Sequence, residues 1–159
     1  SDVKMVNVRH ILIVPEEKND DGTYTDEAWA AAEKKANDLL TEWKNGEHTE
    51  ESFAFMAAEN SADPGSAENG GLYEDVYPGQ MVDAFDAWCF DASRQPGDTG
   101  IVETSYGVHV MYFDGFGNSY RNTLVENALR TADYNAWHDG VVGDNTYTTA
   151  SFGMKFTTK

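Results

Sequence analysis

Two histidines in similar surroundings are the residues of this sequence that could do chemistry together. His10 lies in the run Asn-Val-Arg-His-Ile-Leu-Ile-Val near the amino terminus, and His109 lies far along the chain in Gly-Val-His-Val-Met-Tyr-Phe. An imidazole can donate or accept a hydrogen bond, transfer a proton near neutral pH, or bind a metal ion. Taken alone, each histidine is better explained as a buried side chain satisfied by a neighbour. A metal site would need a third ligand, which the spacing does not offer.

Asp63 and Cys89 are the other side chains with potential reactivity. Asp63 precedes Pro64-Gly65, a context in which a carboxylate commonly accepts a backbone N–H within a turn. Cys89 is the single cysteine, and its neighbours in Ala-Trp-Cys-Phe are apolar. We therefore expect a buried, unreactive thiol, with neither an intrachain disulfide nor covalent catalysis at this residue.

The composition limits the class of partner. The chain has 159 residues, of which 40% are hydrophobic, and this suits one domain with a real core and an appendage. Its formal net charge is −17, so its surface repels nucleic-acid phosphates and anionic lipid headgroups. We expect no nucleic-acid partner and favour neutral or basic polypeptides. The alternative is that the charge only keeps the protein in solution.

The elements that position these residues follow from hydrophobic period and turn signals. Both histidine-containing runs are predicted strands, apolar on both faces as in the centre of a sheet. Thr25 caps a long amphipathic helix that stops at Gly46, and Thr49 starts a second helix. The predicted order is strand, helix, helix, helix, strand and strand, over residues 7–14, 25–46, 49–60, 82–90, 99–102 and 107–113.

The character of the chain changes from Asp114 onward. Glycines and an asparagine predict a junction at Gly115, Gly117 and Asn118. Ser119 is a predicted cap for a helix that ends near residues 139–140, with an inward face of Leu124, Val125, Ala128, Leu129, Ala132 and Ala136. The last segment, residues 146–156, alternates weakly and is predicted to be an added strand or an arm that packs on a partner, with Phe152, Met154 and Phe156 on one side.

An ordered set of short motifs resembles the parvulin-type peptidyl-prolyl cis-trans isomerases. The set covers about Val6 to Phe113, and residues after Asp114 lie outside it. In chain order it comprises Arg9-His10-Ile11-Leu12, Ser61-Ala62-Asp63, Gly70-Gly71-Leu72, Gly79-Gln80-Met81, Phe85, Pro96-Gly97 and Tyr106-Gly107-Val108-His109. Each piece is weakly specific, and the order and spacing carry the resemblance.

This resemblance implies an α+β fold in which a small antiparallel sheet of about four strands is wrapped by three to four helices. One strand is implied only by the family, in a short segment around Asp75 to Tyr77. We expect an isomerase domain over residues 1–115 and a helical and extended appendage over residues 116–159.

The resemblance also implies the residues of an active site. Catalytic positions are filled by His10, Asp63, Thr104 and His109. Substrate-binding positions are filled by Leu72, Met81 and Phe85, which hold the proline ring, and by Tyr106, where the family varies between aromatic and small residues. The histidines are expected to form a hydrogen-bonded pair in the pocket floor. No metal ion or cofactor is expected.

Two departures from the family pattern affect these expectations. Parvulins usually carry Gly-Gly-acid-Leu-Gly-aromatic, whereas here Leu72 directly follows Gly70-Gly71. The loop after the first strand lacks the basic cluster of phosphate-directed parvulins and carries acids instead, at Glu16, Glu17, Asp20 and Asp21. These carboxylates would repel a phosphate, so no preference for phosphorylated Ser-Pro or Thr-Pro is expected.

The expected function is non-covalent isomerisation of X–Pro bonds in unfolded or extended client polypeptides, which assists their folding. The alternative is a catalytically weak chaperone or binding module with the same fold, and a third hypothesis is self-association through the carboxyl-terminal tail. By analogy, we expect an extracellular or bacterial cell-envelope location, with an anchor or signal missing from this sequence. A cytoplasmic location stays open.

Overall fold

A computed structural model describes residues 3–143 of the chain. Its strands are β1 (Lys4–Ile13), β2 (Leu72–Val76), β3 (Thr99–Thr104) and β4 (Gly107–Ser119). Its helices are α1 (Asp26–Asn45), α2 (Glu50–Asn60), α3 (Asp83–Cys89) and α4 (Tyr120–Gly143), with one 3-10 turn at Ala67–Asn69. The strand or arm predicted over residues 146–156, with Phe152, Met154 and Phe156, lies outside the described residues.

The four strands form one antiparallel sheet in the order β2-β1-β4-β3. The two histidine-bearing strands, β1 and β4, are the central pair, with Leu12 opposite His109 and His10 opposite Met111. The strand implied by the resemblance exists as β2, although it begins at Leu72 and not near Asp75. The prediction of an α+β fold with a four-stranded antiparallel sheet is confirmed.

The helix starts follow the capping signals in the sequence. The Thr25 side chain accepts a hydrogen bond from the Ala28 N–H at the start of α1. Thr49 and Ser52 form a reciprocal capping box at the start of α2. These contacts satisfy backbone N–H groups that have no partner within the helix. The predicted helix starts are therefore confirmed.

Each face of the sheet packs against its own helices. Alternate strand residues such as Ile11 and Val110 face α1 and α2 and join a core that includes Leu40, Trp43 and Phe53. The intervening residues face α3, in a core made of Val6, Val8, Val76, Phe85, Cys89, Val102, Met111 and Phe113. Because strand side chains alternate, His10 and His109 lie on the α3 face.

The carboxyl-terminal part departs from the sequence prediction. The chain divides into one compact unit that ends at Arg121 and a second that begins at Asn122. β4 runs through Gly115, Gly117 and Asn118 because these residues continue along its pairing with β1, so the predicted junction is wrong. The proposed boundary after residue 115 therefore falls inside this strand.

The described part of α4 also differs from the prediction of an inward apolar face. Leu124, Val125 and Leu129 are 51%, 50% and 60% exposed, and the helix buries none of its residues. Apolar residues are spread around the helix and do not form one stripe, so no continuous face exists to bury. The Ser119 hydroxyl makes no hydrogen bond and so does not cap α4. None of the helices in residues 3–143 is both long and apolar enough to cross a membrane.

Candidate active site

The two histidines predicted to pair lie against each other on the central strands. The Nδ1 atoms of His10 and His109 are 3.0 Å apart, and their rings stack with centroids 5.2 Å apart. Both side chains are almost wholly buried, with 3% and 5% exposure. The register of the sheet explains why the two rings are in contact. His109 lies opposite Leu12, and Leu12 is two residues from His10 on the same strand, so all three side chains share one face of the sheet.

One oxygen of Asp63 accepts several hydrogen bonds at one end of this pair. Asp63 Oδ2 lies 2.9 Å from His10 Nε2, 2.5 Å from the Ser66 hydroxyl and 2.8 Å from the Tyr73 hydroxyl. Burial alone would raise the pKa of Asp63, but the hydrogen bonds from Ser66, Tyr73, the Gly65 N–H and His10 lower it to about 2. Asp63 is therefore an ionised carboxylate beside the histidines at neutral pH.

Thr104 binds the other end of the histidine pair. Its hydroxyl oxygen lies 2.8 Å from His109 Nε2 and accepts a hydrogen bond of 3.1 Å from the Tyr106 N–H. Thr104 ends β3 and is only 9% exposed, so the hydroxyl is held where the hairpin to β4 begins. The hydroxyl thus has one fixed donor and one fixed imidazole partner.

These contacts fix the direction of every hydrogen bond in the row. Because Asp63 is ionised, His10 Nε2 carries the hydrogen that it shares with the carboxylate. His10 Nδ1 is then an acceptor, so His109 donates from its own Nδ1. His109 Nε2 must therefore accept from the Thr104 O–H. The row runs Thr104 to His109 to His10 to Asp63, with both imidazoles neutral.

The surroundings keep both histidines neutral. Burial lowers the pKa of His10, although the hydrogen bond and charge of Asp63 oppose this effect. Burial and then the neighbouring His10 lower the pKa of His109 to about 4, again against the charge of Asp63. Imidazoles with lowered pKa values act here as fixed hydrogen-bond dipoles, not as cations.

Aromatic rings enclose the histidine pair. Phe85 of α3 meets the edges or faces of both imidazoles at 5.4 Å between centroids and interplanar angles of 84°. Tyr73 of β2 stacks on His10 with centroids 5.2 Å apart. Met81 is partly buried and packs against the same core. The structure thus brings Phe85 and Met81 to the site side of the sheet.

Leu72 does not lie where the sequence analysis expected it. In the register of the sheet Leu72 is opposite Arg9, whereas Tyr73 is opposite Val8. Cross-strand partners point to the same face, so Leu72 lies on the face away from His10 and Tyr73 lies on the site face. The assignment of Leu72 to the proline pocket is therefore wrong by one residue.

Sequence reasoning also missed Ser66 and Tyr73 as site residues. Ser66 is 1% exposed and its hydroxyl lies 2.9 Å from His10 Nε2. The strand period could not predict Tyr73, because Tyr73 and Val76 share a face although they are three residues apart, across a local irregularity in the pairing with β1. No sequence signal distinguished Ser66 from the other small residues of its loop.

Tyr106 and a small cavity lie at the Thr104 end of the site. Tyr106 is 62% exposed, so its ring is free to contact a bound chain. A cavity of about 350 Å³ is lined by Val82, Asp83, Ala84, Thr104 and Ser105.

Cys89 lies in the core behind α3. Its side chain is 1% exposed, and burial followed by the charge of Asp86 raises the pKa of its thiol to about 12. The expectation that Cys89 is buried is confirmed, and a raised thiol pKa favours the neutral form of the side chain. Within residues 3–143, no group of three or more His, Cys, Asp or Glu side chains has the arrangement of a metal site.

The chain is similar to known proteins over most of its length. The model of the PPIC-type PPIASE domain family matches residues 1–114. Foldase protein PrsA 1 of Listeria innocua is 32% identical over 106 residues, covering 67% of this chain and 29% of that protein. Chaperone SurA of Pseudomonas putida is 39% identical over 106 residues, covering 67% of this chain and 22% of that protein. The chain thus spans less than a third of these relatives.

Solved structures share the fold at lower sequence identity. A crystal structure of the peptidylprolyl isomerase PrsA of Bacillus anthracis matches with a TM-score of 0.56 and 21% identity, over 81% of this chain and 49% of that one. The crystal structure of the PPIase domain of TbPar42 matches with a TM-score of 0.54 and 24% identity, over 68% and 98%. At this identity the similarity establishes the fold.

Proposed function

The chain belongs to the family of PPIC-type peptidyl-prolyl isomerase domains, and we propose that it catalyses cis-trans isomerisation of X–Pro bonds in extended client polypeptides. The observation that carries this proposal is the row of hydrogen bonds from Thr104 through His109 and His10 to Asp63, buried beside aromatic side chains. Assistance to the folding of such clients is the expected consequence, since X–Pro isomerisation is slow enough to limit folding.

Prolyl isomerisation needs no bond to break. Amide resonance creates a barrier of about 18–20 kcal/mol, and rotation removes that resonance in the transition state. An enzyme accelerates the step by binding the twisted amide better than either planar form. A fixed polar row in a water-poor pocket suits this task because its dipoles need not reorganise as the charge distribution of the amide changes.

We assign the roles as follows. Phe85, Met81 and the ring of Tyr73 provide the apolar contacts for proline. The ionised Asp63 favours the developing single-bond character of the amide by its field at the carbonyl carbon. The two imidazoles keep the hydrogen bonds of the row oriented in one direction, from Thr104 to Asp63. The buried Cys89 has no part, because its neutral thiol lies inside the core.

A protease-coupled assay on a proline-containing peptide tests this proposal. We expect Met81→Ala to lower kcat/KM by about tenfold, the equivalent of a lost apolar contact of roughly 1.4 kcal/mol, and His109→Ala to lower it by at least as much. Phe55→Ala is the matched control, because Phe55 is an apolar residue of α2 with 66% exposure. Wild-type activity in both site variants, with folding verified by circular dichroism, would remove the assignment.

We also propose that the enzyme is not directed to phosphorylated residues. The loop after β1 carries Glu16, Glu17, Asp20 and Asp21, all exposed, and like charges oppose a phosphate. Matched Ser-Pro and phospho-Ser-Pro peptides should show equal turnover or faster turnover of the unmodified form. Faster turnover of the phosphorylated peptide would contradict this part of the proposal.

A catalytically weak chaperone is the second candidate. Apolar side chains beside the site favour it, since Val82 and Tyr106 are 38% and 62% exposed and can hold an unfolded chain without turnover. The coupled assay separates the two functions: suppression of client aggregation without acceleration of isomerisation would favour the chaperone.

We further propose that the protein acts outside the cytoplasm, in or beyond a bacterial cell envelope. The named similarities to a foldase and a chaperone of bacteria support this location. Cell fractionation with an antibody against the domain tests it, and recovery only in the cytosolic fraction would overturn it.

A further inference from the structure

Arg9 is the residue of β1 that precedes His10, and the chemistry proposed above does not use it. Because strand side chains alternate, Arg9 points away from the histidine pair. It lies opposite Tyr112, which packs against the core on the side of α1 and α2. The Arg9 side chain is only 14% exposed, and a cation with so little access to water needs hydrogen-bond acceptors inside the protein.

The guanidinium of Arg9 joins two segments of the chain that are distant in sequence. Its Nε and Nη2 atoms donate to Glu50 Oε1 over 3.0 and 2.8 Å, at the start of α2. Its Nη1 atom donates to the backbone carbonyls of Asn69 and Gly70 over 3.1 and 3.0 Å. Because the donors of a guanidinium have fixed directions, these contacts hold both carbonyls in one orientation relative to β1 and α2.

The two carbonyls belong to a segment that supplies two of the hydroxyls on Asp63. We call it the Ser66–Tyr73 segment. The hydroxyls of Ser66 and Tyr73, at its two ends, lie 2.5 and 2.8 Å from Asp63 Oδ2. Between them, the Gly71 N–H donates to the Ser66 carbonyl over 2.8 Å, and the Gly71 carbonyl accepts a backbone N–H of β1 over 2.9 Å. The guanidinium therefore contacts the middle of a segment whose two ends both contact Asp63.

The packing at Gly70 shows how closely this segment lies on the guanidinium. Gly70 has a left-handed φ of +62°. A Cβ at Gly70 would lie 3.0 Å from Arg9 Nη1 and 2.8 Å from the Cβ of Ala54. A shorter or differently shaped side chain at residue 9 therefore removes the donor that both carbonyls share and opens space beneath the segment.

The guanidinium also lies among carboxylates, and charge balance is the competing explanation for Arg9. Burial and then the charge of Glu50 raise the pKa of Asp114, and the charge of Arg9 opposes them. Charge balance needs only a cation, which lysine supplies as well as arginine. Orientation of two carbonyls and a carboxylate needs the planar set of donors, which lysine lacks. Exchange of arginine for lysine therefore separates the two roles.

We infer that Arg9 is a positioning residue of the proposed active site, because its guanidinium holds the Ser66–Tyr73 segment so that both hydroxyls reach Asp63. This inference rests on the proposed isomerase function and adds to it a residue that does not touch the substrate. Loss of the guanidinium lets the segment shift, and the two hydroxyls then donate to Asp63 with poorer geometry. The carboxylate is less firmly fixed beside the substrate amide as a result.

A double-mutant cycle tests the path of this effect. We expect Arg9→Lys to lower kcat by about fivefold and to change KM by less than about twofold, since the residue does not touch the substrate. In the Tyr73→Phe background the same exchange should lower kcat by only about twofold, because the hydroxyl that the guanidinium positions is already absent. Wild-type kcat in Arg9→Lys, or an equal loss in both backgrounds, would overturn the inference.

A second arginine supplies the matched control for general destabilisation. Arg94 lies after α3, is 16% exposed, donates to the Trp88 carbonyl over 3.1 Å and pairs with Asp98 at 3.7 Å. We expect Arg9→Met and Arg94→Met to lower the free energy of unfolding in urea to a similar extent. Only Arg9→Met should lower kcat by about fivefold or more. An equal loss of kcat in the two variants would overturn the inference, because the effect would then follow stability alone.

A measurement without turnover separates this inference from the proposed function. Carbon-13 NMR of labelled aspartate reports the pKa of Asp63, which hydrogen bonds from Ser66 and Tyr73 help to lower to about 2 against the effect of burial. Arg9→Lys keeps the net charge and should raise this pKa, because the two hydroxyls are less well placed. If the wild type isomerises no peptide, the proposed function fails and the Asp63 pKa decides the inference. An unchanged pKa in Arg9→Lys would overturn it.

Discussion

Asp63 is the residue on which the site depends most, because donors from three different elements converge on one of its oxygens. His10 comes from β1, Tyr73 from β2 and Ser66 from the loop between α2 and β2. Each donor stabilises the ionised carboxylate and lowers its pKa. The charge beside the proposed amide position is therefore set by side chains that need not touch the substrate.

Removing the Tyr73 hydroxyl should weaken catalysis and leave the apolar ring of Tyr73 in place. Tyr73→Phe keeps the ring that stacks on His10 and deletes the hydroxyl that lies 2.8 Å from Asp63. We expect a several-fold loss of kcat with little change in KM, and a stability loss of about 1–2 kcal/mol. Kinetics and urea unfolding measure both quantities. Tyr134→Phe, at an exposed residue of α4, is the control, and equal behaviour of the two variants would refute this role.

The neutral histidines also make stability depend on pH. Burial and the nearby His10 lower the pKa of His109 from 6.5 to about 4, so in this range the unfolded chain binds a proton that the folded protein does not. The free energy of unfolding should be highest above pH 6.5 and fall as the pH drops towards 4, by on the order of 3 kcal/mol. Below that range the ionised Asp63 adds a further loss, because its lowered pKa of about 2 is approached.

Urea unfolding at a series of pH values measures this dependence. His109→Asn should flatten the slope between pH 6.5 and 4, whereas His138→Asn, on the exposed surface of α4, should keep it. A wild-type free energy of unfolding that is constant across this range would contradict the burial of neutral imidazoles.

At the residue level, the sequence predicted the residues whose positions follow from periodicity or motif. His10, His109, Asp63 and Thr104 could be named in advance and lie together. Leu72 could not be placed correctly, because one step of register moves a side chain to the other face of a sheet. The register of β2 is set by pairing with a strand more than sixty residues earlier in the chain, which local sequence does not encode.

Among the elements, the turn into β2 determines where the site residues lie. The carbonyl oxygen of Gly71 accepts a hydrogen bond of 2.9 Å from the backbone N–H of His10. Gly71 itself adopts a left-handed φ of +72°. A Cβ at Gly71 would collide with the carbonyl oxygen of His10 and crowd Ala57. Glycine at this position therefore lets β2 approach β1 closely enough to bring Tyr73 to the site face.

Gly71→Ala should accordingly be one of the most damaging single substitutions. We expect a loss of more than about 3 kcal/mol, since a steric collision adds to the 1–2 kcal/mol of left-handed strain. Gly79→Ala is the matched control: Gly79 has a φ of +82° with nothing within 4 Å of its Cβ position, so about 1–2 kcal/mol is expected. Chemical denaturation of the two variants gives the comparison, and equal losses would show that the collision is relieved.

Element boundaries were predicted less well than element types. The helix starts at Thr25 and Thr49 carry local capping signals and were found at those residues. β4 continues six residues past Phe113 because β1 lies beside it, in spite of two glycines that locally favour a break. Pairing with a neighbour overrode the local preference, and that neighbour is distant in sequence.

At the scale of the whole molecule, both cores lie within the first compact unit. Every buried hydrophobic residue of the described chain falls between Met5 and Phe113. The candidate site is built from the same strands, between His10 and His109. The unit that ends at Arg121 therefore contains all the apolar burial and all the site chemistry described above.

A chain shortened to residues 1–121 should fold and keep the proposed isomerase activity. We expect kcat/KM on short peptides within about twofold of the full chain, because no described core residue is removed. Circular dichroism and the peptide assay measure folding and activity. Loss of structure in the shortened chain would contradict the independence of the first unit, whereas a loss confined to long clients would assign residues 122–159 to client handling.

The distance along the chain between the two imidazoles has a consequence for biosynthesis. His10 and His109 are 99 residues apart, and each depends on the other for its hydrogen-bonded partner. The proposed site therefore cannot form until the ribosome has released almost the whole first unit and β1 and β4 have paired, the step that carries the cost in loop-closure entropy. During synthesis, the first unit therefore gains its proposed activity only after both central strands have been made and have paired.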